Sequence, residues 1–158
     1  MPSTSQIAAS LPFQGTTISF GNAASPEAMS VVANVEDWNQ SGKSTVVMVT
    51  NAGDTFARRQ PTVIDPGAPT FKIFWIPLEP SHRNSNNGGG TVADGLRYIW
   101  INKLLRDVQI NYPPDPNGDI ATDAFKAFVT DFQITGKVAG VYEGSITLGI
   151  NDQSPSFV

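Results

Sequence analysis

The chain offers few side chains with which to do chemistry. Its single histidine, His82, directly follows Ser81 and stands three residues after Glu79. A hydrolytic triad needs its three members on separate elements that converge, and a general base needs a fixed position. Residues this close in sequence do not line up that way, and no GxSxG turn presents a nucleophile. His82 also sits at the start of SHRNSNNGGG, residues 81–90, a run without apolar content. Such a run reads as a mobile, solvated loop with His82 exposed on it and no site. The glycines Gly88, Gly89 and Gly90 lack the lysine and hydroxyl of a phosphate loop.

DPNGD, from Asp115 to Asp119, has the opening spacing of a calcium loop, with Asp115, Asn117 and Asp119 at alternating positions. Ile120 stands where the sharp-turn glycine belongs and Lys126 where the bidentate glutamate belongs, so the segment reads instead as a tight turn between two strands. Cysteine is absent, which removes disulfides, thiolate metal sites and cysteine nucleophiles. The expectation is a protein with no catalytic residues, no metal and no cofactor.

Arg58 and Arg59 could grip phosphate or carboxylate, or simply be a solvated turn. They lie in a nineteen-residue stretch, residues 51–69, in which no regular element is legible. A loop that long in a compact domain is functional or disordered, and its apolar residues, Val63 and Ile64 among them, favour ordered docking. The natural partner is an acidic neighbouring subunit, because the chain carries surplus negative charge.

The elements that must position these residues follow from composition. At 158 residues the chain is one domain by length and large enough for a core of its own. Charged side chains are only 15% of it, ten basic against fourteen acidic, for a net charge of −4. Nucleic-acid binders concentrate positive charge, so tight nucleic-acid binding is disfavoured. No signal peptide and no membrane span is expected. Gly and Pro, 26 residues together, punctuate short β-branched and aromatic runs, the pattern of an all-β domain.

Seven strands are expected, at residues 16–20, 31–38, 44–50, 70–76, 104–112, 124–135 and 141–150, enough for a β-sandwich or barrel. In the last, Gly144, Ile146, Leu148 and Ile150 share one face while Glu143, Ser145, Thr147 and Gly149 share the other. In the sixth, Phe128, Phe132 and Ile134 are in phase and Asp131 and Gln133 oppose them, and the two strands should form a hairpin across residues 136–140. Val108, Ile110 and Tyr112 alternate in the same way with Asp107, Gln109 and Asn111. One helix is expected at residues 92–103, packed by Leu96, Ile99 and Trp100, with Asp94 capping its first turn.

Four ordered segments carry a family likeness: GTTISFG, then GDTFARRQPTVIDPGAPTFKIFW, then GLRYIWINKLLRDVQINYP, then FKAFVTDFQITGKVAGVYEGSITLGIN. Together they resemble the major tail tube proteins of tailed bacteriophages, from about Gly15 to Asn151, most tellingly in the C-terminal pair of strands. The resemblance implies a single tail-tube domain: an all-β sandwich or barrel with one short flanking α-helix, an N-terminal arm at residues 1–13, the long loop at 51–69 and a short C-terminal tail at 153–158. It further implies a structural, non-enzymatic subunit, with six copies closing into a ring and rings stacking into a tube, each copy lending strands to a shared inner barrel.

Six copies at −4 would carry −24 per ring, and a bore sharing that charge would let viral DNA slide through without binding tightly. The lining candidates are Glu36, Asp107, Gln109, Asn111, Asp131, Gln133, Glu143, Ser145 and Thr147. The ring-stacking candidates lie in the long loop: Asp54, Phe56, Arg58, Arg59, Val63, Ile64 and Asp65. Implied partners are further copies of the chain, the tape measure, tail terminator and baseplate or tail-tip proteins, and the passing viral DNA, with no membrane. The implied location is the virion tail, assembled in the host cytoplasm. Two other readings compete: the tube of a contractile injection or secretion machine, and a carbohydrate-binding β-sandwich using Trp38, Trp75 or Trp100 as a platform.

Overall fold

A computed structural model describes residues 14–23, 27–83, 94–152 and 155–157. Among these residues, nine strands and one helix run in the order β1 (Thr17–Gly21), β2 (Met29–Val31), β3 (Val35–Asn39), β4 (Lys43–Met48), β5 (Arg59–Asp65), β6 (Thr70–Phe74), α1 (Leu96–Ile101), β7 (Arg106–Asn111), β8 (Thr122–Thr135) and β9 (Glu143–Ile150). Seven form one antiparallel sheet in the order β2-β1-β7-β8-β9-β6-β3, and β4 and β5 pair only with each other. The all-β class with one short helix is as expected. No helix among the described residues is long and apolar enough to cross a membrane.

The sheet is rolled, and connectivity demands it. Strands β2 and β3 are its two edges, yet only Val32, Ala33 and Asn34 join them. Seven strands laid flat would put those edges about 29 Å apart, whereas three linking residues reach about 14 Å at most. The linker therefore closes a seam: the Val32 N–H donates to Ile18 O of β1 at 2.8 Å and the Phe74 N–H of β6 donates to Asn34 O at 3.0 Å. The expected strand at 31–38 is broken by this step, which Asn34 makes with a φ of 57°.

Strand β8 belongs to two neighbours. Its first half pairs with β7, ending at Arg106 opposite Ala127, and its second half pairs with β9, beginning at Ala127 opposite Ile150. The sheet thus divides into two layers hinged along β8, one made of β2, β1, β7 and the start of β8, the other of the end of β8 with β9, β6 and β3. Their inner faces meet in a core of Ile18, Phe20, Val108, Ile110, Phe125, Val129, Phe71, Ile73, Ile146 and Leu148. Trp38 on β3 stacks on Phe125 of β8 across this interior, with ring centroids 6.5 Å apart.

The inward phase of β8 differs from expectation at Phe128. The buried residues of its first half are Phe125, Ala127 and Val129, and a register shift between Val129 and Asp131 then brings Phe132 and Ile134 inward. An extra residue in one strand reverses the alternation beyond it. Phe128 therefore lies on the outer face opposite Gly149, where a Cβ would come within 2.9 Å of the Phe128 ring.

Three further expectations are corrected. The stretch 51–69 is not structureless, since β5 occupies residues 59–65 and forms a hairpin with β4. Pro61 and the lack of alternation hide that strand, and a proline is admissible there because β5 has a neighbour on one side only. The helix is Leu96–Ile101; residues 92 and 93 of the expected helix lie outside the described residues. Its N-cap is Gly95 without a side-chain bond, and Asp94 instead pairs with Arg106 at 3.0 Å.

Candidate assembly interface

Outward-facing residues of the second layer form one mostly polar surface, interrupted by the exposed rings of Phe74 and Phe128. On β8 and β9, Asp131 faces Thr147, Gln133 faces Ser145 and Thr135 faces Glu143. Strand β6 continues the surface, with Thr70 beside Thr147, Lys72 beside Ser145 and Phe74 beside Glu143. On β3, Asp37 lies beside Lys72 and accepts the Lys72 N–H at 3.0 Å. Glu36 falls at the β3 register shift, and its carboxyl is raised above the usual range by burial first and then by the negative charges of Glu143 and Asp37, with Lys72 opposing. Six of the nine lining candidates, Glu36, Asp131, Gln133, Glu143, Ser145 and Thr147, thus lie together on this layer.

The other three stand on the first layer. Asp107, Gln109 and Asn111 face outward on β7 beside Lys126, Ala124 and Thr122. A cleft there is lined by Glu27, Asp107, Gln109, Asp152 and Ser156, and the Glu27 carboxyl is raised mainly by its hydrogen bond to Asp107 and then by burial. Ser156 of the C-terminal tail exchanges two 2.8 Å backbone hydrogen bonds with Ala124, so this part of the surface is partly covered by the chain's own end. Sequence reading missed Asp37, Thr70 and Lys72 as members of the polar face. The signal was present in TFKIF, where Phe71 and Ile73 point inward and Thr70 and Lys72 outward.

The second layer is open at both sides. Among the described strands β3 has a partner only in β6, and none pairs with β8 beyond Ala127 on the side away from β9. Four strands, β8-β9-β6-β3, therefore present a polar face and two unpaired edges.

The β4–β5 hairpin is a second exposed feature. Every residue of both strands is exposed, including Val46, Val47, Met48, Val63 and Ile64. Val46 and Val47 are adjacent in a strand and so point to opposite faces, as do Val63 and Ile64. At the tip the Asp54 carboxylate accepts the Asn51 N–H at 2.7 Å and pairs with Arg58 at 3.1 Å, and Phe56 is 81% exposed. Arg59, paired in register with Met48, has no ion-pair partner among the described residues. At the root Asp65 accepts the Gly67 N–H at 2.9 Å, and Gly67, with a φ of 82°, packs so closely on the Ser41 carbonyl that a Cβ would collide with it. All seven stacking candidates are on this hairpin. An isolated two-stranded hairpin is marginally stable in water, so one with apolar residues on both faces needs a partner surface.

His82 is not exposed, contrary to expectation: it is fully buried, stacked on Trp75 with centroids 5.6 Å apart. Its Nδ1 accepts the Ile76 N–H at 3.2 Å and its Nε2 donates to Ala33 O at 2.7 Å, an arrangement that requires the neutral ring protonated on Nε2. The Ala33 N–H in turn donates to Ser81 Oγ at 3.1 Å. Ser81 and His82 thus clasp the residue at which the chain crosses the seam, and both ring nitrogens of the histidine are occupied. The rest of the expected mobile loop, residues 84–90, and the N-terminal arm, residues 1–13, lie outside the described residues. DPNGD is a turn, as read: Asp115 accepts the N–H groups of Asn117 and Asp119. No group of three His, Asp or Glu among the described residues could hold a metal ion. Trp38 and Trp75 pack in or against the core, and Trp100 stacks on Phe132 at 5.4 Å, so the three tryptophans form no common platform.

No protein-family model and no curated protein matches this sequence. Solved structures do match. The SPP1 tail tube is 10% identical, with a TM-score of 0.64 over 89% of this chain and 76% of that one. A chain from the tail of an empty GTA particle, determined with C6 symmetry, is 12% identical, with a TM-score of 0.64 over 94% of this chain and 99% of that one. The chain has the tail-tube fold. A contractile machine shares it: a chain of the sheath–tube complex of the extracellular contractile injection system PVC is 12% identical, with a TM-score of 0.58 over 96% of this chain and 95% of that one. The tail-tube fold accounts for the rolled sheet and single short helix, and it bears out at the level of fold the likeness read from the four sequence segments.

Proposed function

We propose that this chain is the structural, non-enzymatic subunit of a tail tube: six copies form a ring, rings stack, and the bore conducts viral DNA. One observation carries the reading, the four-stranded layer β8-β9-β6-β3 with a polar face and two unpaired edges. An open edge recruits another strand unless it is blunted. Two open edges on one layer let each copy join a neighbour on either side, and a ring of such layers closes with no edge left over. The polar face then becomes the wall of the bore, lined by Glu36, Asp131, Gln133, Glu143, Ser145 and Thr147. Asp107, Gln109 and Asn111, on the other layer and partly under the C-terminal tail, are weaker members of that set. The β4–β5 hairpin joins one ring to the next.

Terminator, baseplate or tail-tip proteins would meet the two ends of such a tube and a tape measure would occupy its bore during assembly, in the host cytoplasm, before it is carried in the virion. A second reading, the tube of a contractile injection machine, is favoured by the likeness to the chain of the PVC sheath–tube complex. Negative-stain microscopy of the concentrated, seeded protein tests the proposal. Hollow tubes built of six-fold rings are expected, and solitary particles at every concentration would overturn it.

A further inference from the structure

Strand β8 has two half-edges, and the chain fills one of them itself. Its first half pairs with β7 on one side and its second half pairs with β9 on the other, so each half keeps a side that no strand of the sheet covers. Past Ala127, the side away from β9 is open among the described strands. Before Ala127, the side away from β7 is taken by the chain's own C-terminal residues.

The backbone groups on that side are fully accounted for at two residues. In an antiparallel strand, alternate residues turn both backbone groups to the same side. The Ala124 N–H donates to Ser156 O and the Ser156 N–H donates to Ala124 O, each at 2.8 Å. The Lys126 N–H donates to Asp152 Oδ2 at 3.1 Å, and Lys126 O accepts the Asn151 N–H at 2.9 Å. The ring of Phe157 lies against Phe125 with centroids 6.0 Å apart, and Phe125 stacks in turn on Trp38 of β3. Hydrogen bonds thus hold the tail to the edge while an aromatic contact anchors it to the core.

The tail is more than a continuation of β9. Ala127 lies opposite Ile150 and Ala124 opposite Ser156, so six steps of the tail span three of β8. Where the ladder of β9 ends, the Asp152 carboxylate stands in for a backbone carbonyl at Lys126. Ser156 and Phe157 can therefore be lost without unpairing β9.

A bare row of backbone N–H and C=O groups adds strands from other chains. With both half-edges of β8 bare, a second copy could join either layer, and a chain with two competing joining edges does not close into a single ring. We infer that Asn151, Asp152, Ser156 and Phe157 form a built-in edge cap, which blocks strand addition along the first half of β8 and directs it to the open second half. The cap is read from the single chain; its consequence for ring closure rests on the tube reading.

Truncation after Asp152 removes Ser156 and Phe157. Ser156→Pro is the gentler variant, since proline has no N–H to give to Ala124 O. In both, amide exchange at Ala124 should quicken by about tenfold or more while the amides of β9 keep their protection. On concentration both should give irregular sheet-rich aggregates in place of uniform assemblies. The chain has no native cysteine, and bridge partners of this kind have Cα atoms about 5.5 Å apart, within disulfide reach, so Ala124→Cys with Ser156→Cys can lock the cap shut. The locked protein should assemble as the parent does, oxidised or reduced. Unchanged exchange at Ala124 in the truncated and Ser156→Pro proteins, or uniform parent-like assemblies from them, would overturn the inference. So would a locked protein that assembles only after reduction, because the tail would then have to leave β8. If the unmodified protein forms no tubes the tube reading falls, while exchange and aggregation of the two variants still decide the cap.

Discussion

Single residues are where sequence and structure disagree most, and His82 shows why. Its neighbours in the chain are polar, and nothing local calls for burial. Its partners are Trp75, the Ile76 N–H and the carbonyl of Ala33, 49 positions away, so its role exists only once the seam has closed. The Ser-His-Glu cluster that invites a catalytic reading is instead the clasp on that seam. Tyr112 is a second residue whose setting is non-local in effect. Its hydroxyl donates to Asp123 Oδ2 at 2.7 Å, and burial, then that bond and the charge of Asp123, push its pKa up to about 12 from 10.0. The folded state therefore keeps a proton that the unfolded chain releases, and stability is full below pH 10 and falls as pH rises from 10 toward about 12. Tyr112→Phe should flatten that alkaline loss, at a cost near neutral pH of about 1–2 kcal/mol for the lost bond to Asp123. Thermal melts of both proteins between neutral and alkaline pH check it, and parallel alkaline losses in the two would refute it.

Elements with strict alternation were legible, and those that are irregular for a reason were not. β7 and β9 read directly from their period, and so did the hairpin joining β8 to β9, because one face is core and one is polar. The phase of β8 past Phe128 was hidden by the register shift, which depends on how β9 lies against it. β5 was hidden because its residues pack on nothing within the chain, so no burial constrains their pattern. What orients this hairpin is its root. Gly67 combines a positive φ with close packing on the Ser41 carbonyl, and any side chain there must displace one strand from the other. Gly67→Ala should cost about 1–2 kcal/mol in backbone strain alone, more where the carbonyl cannot yield. The rolled sheet does not involve the hairpin in its core, so that cost should fall on the hairpin and leave the body folded. Hydrogen exchange of β4 and β5 should accelerate while β8 and β9 keep their protection, and tube formation should fail. A variant that polymerises like the parent would show that hairpin orientation is not needed for stacking.

At the scale of the whole molecule, the polar layer carries more acid than base, Glu36, Asp37, Asp131 and Glu143 against Lys72. Net charge −4 says only that tight DNA binding is disfavoured; the register shows which acids share the polar layer. Asp131 and Glu143 are exposed on it, neither lies in the core, and surface changes of this kind usually alter stability by within about 0.5 kcal/mol. Replacing both by lysine shifts each copy by four charges. It also removes the Glu143 charge that helps raise Glu36, so that carboxyl should move back toward its usual range. If this face lines the bore, Asp131→Lys with Glu143→Lys should still give rings and tubes, because both substitutions leave the backbone N–H and C=O groups of the open edges, and the whole hairpin, unchanged. The wall would then attract phosphate instead of repelling it. Duplex DNA that passes over the parent tubes should be retained by the variant at low salt and released as salt rises, since binding driven by counterion release weakens steeply between about 50 and 200 mM. Particles carrying the variant should eject their genome more slowly. Variant tubes that retain no more DNA than the parent would remove Asp131 and Glu143 from the lining and turn this face away from the bore.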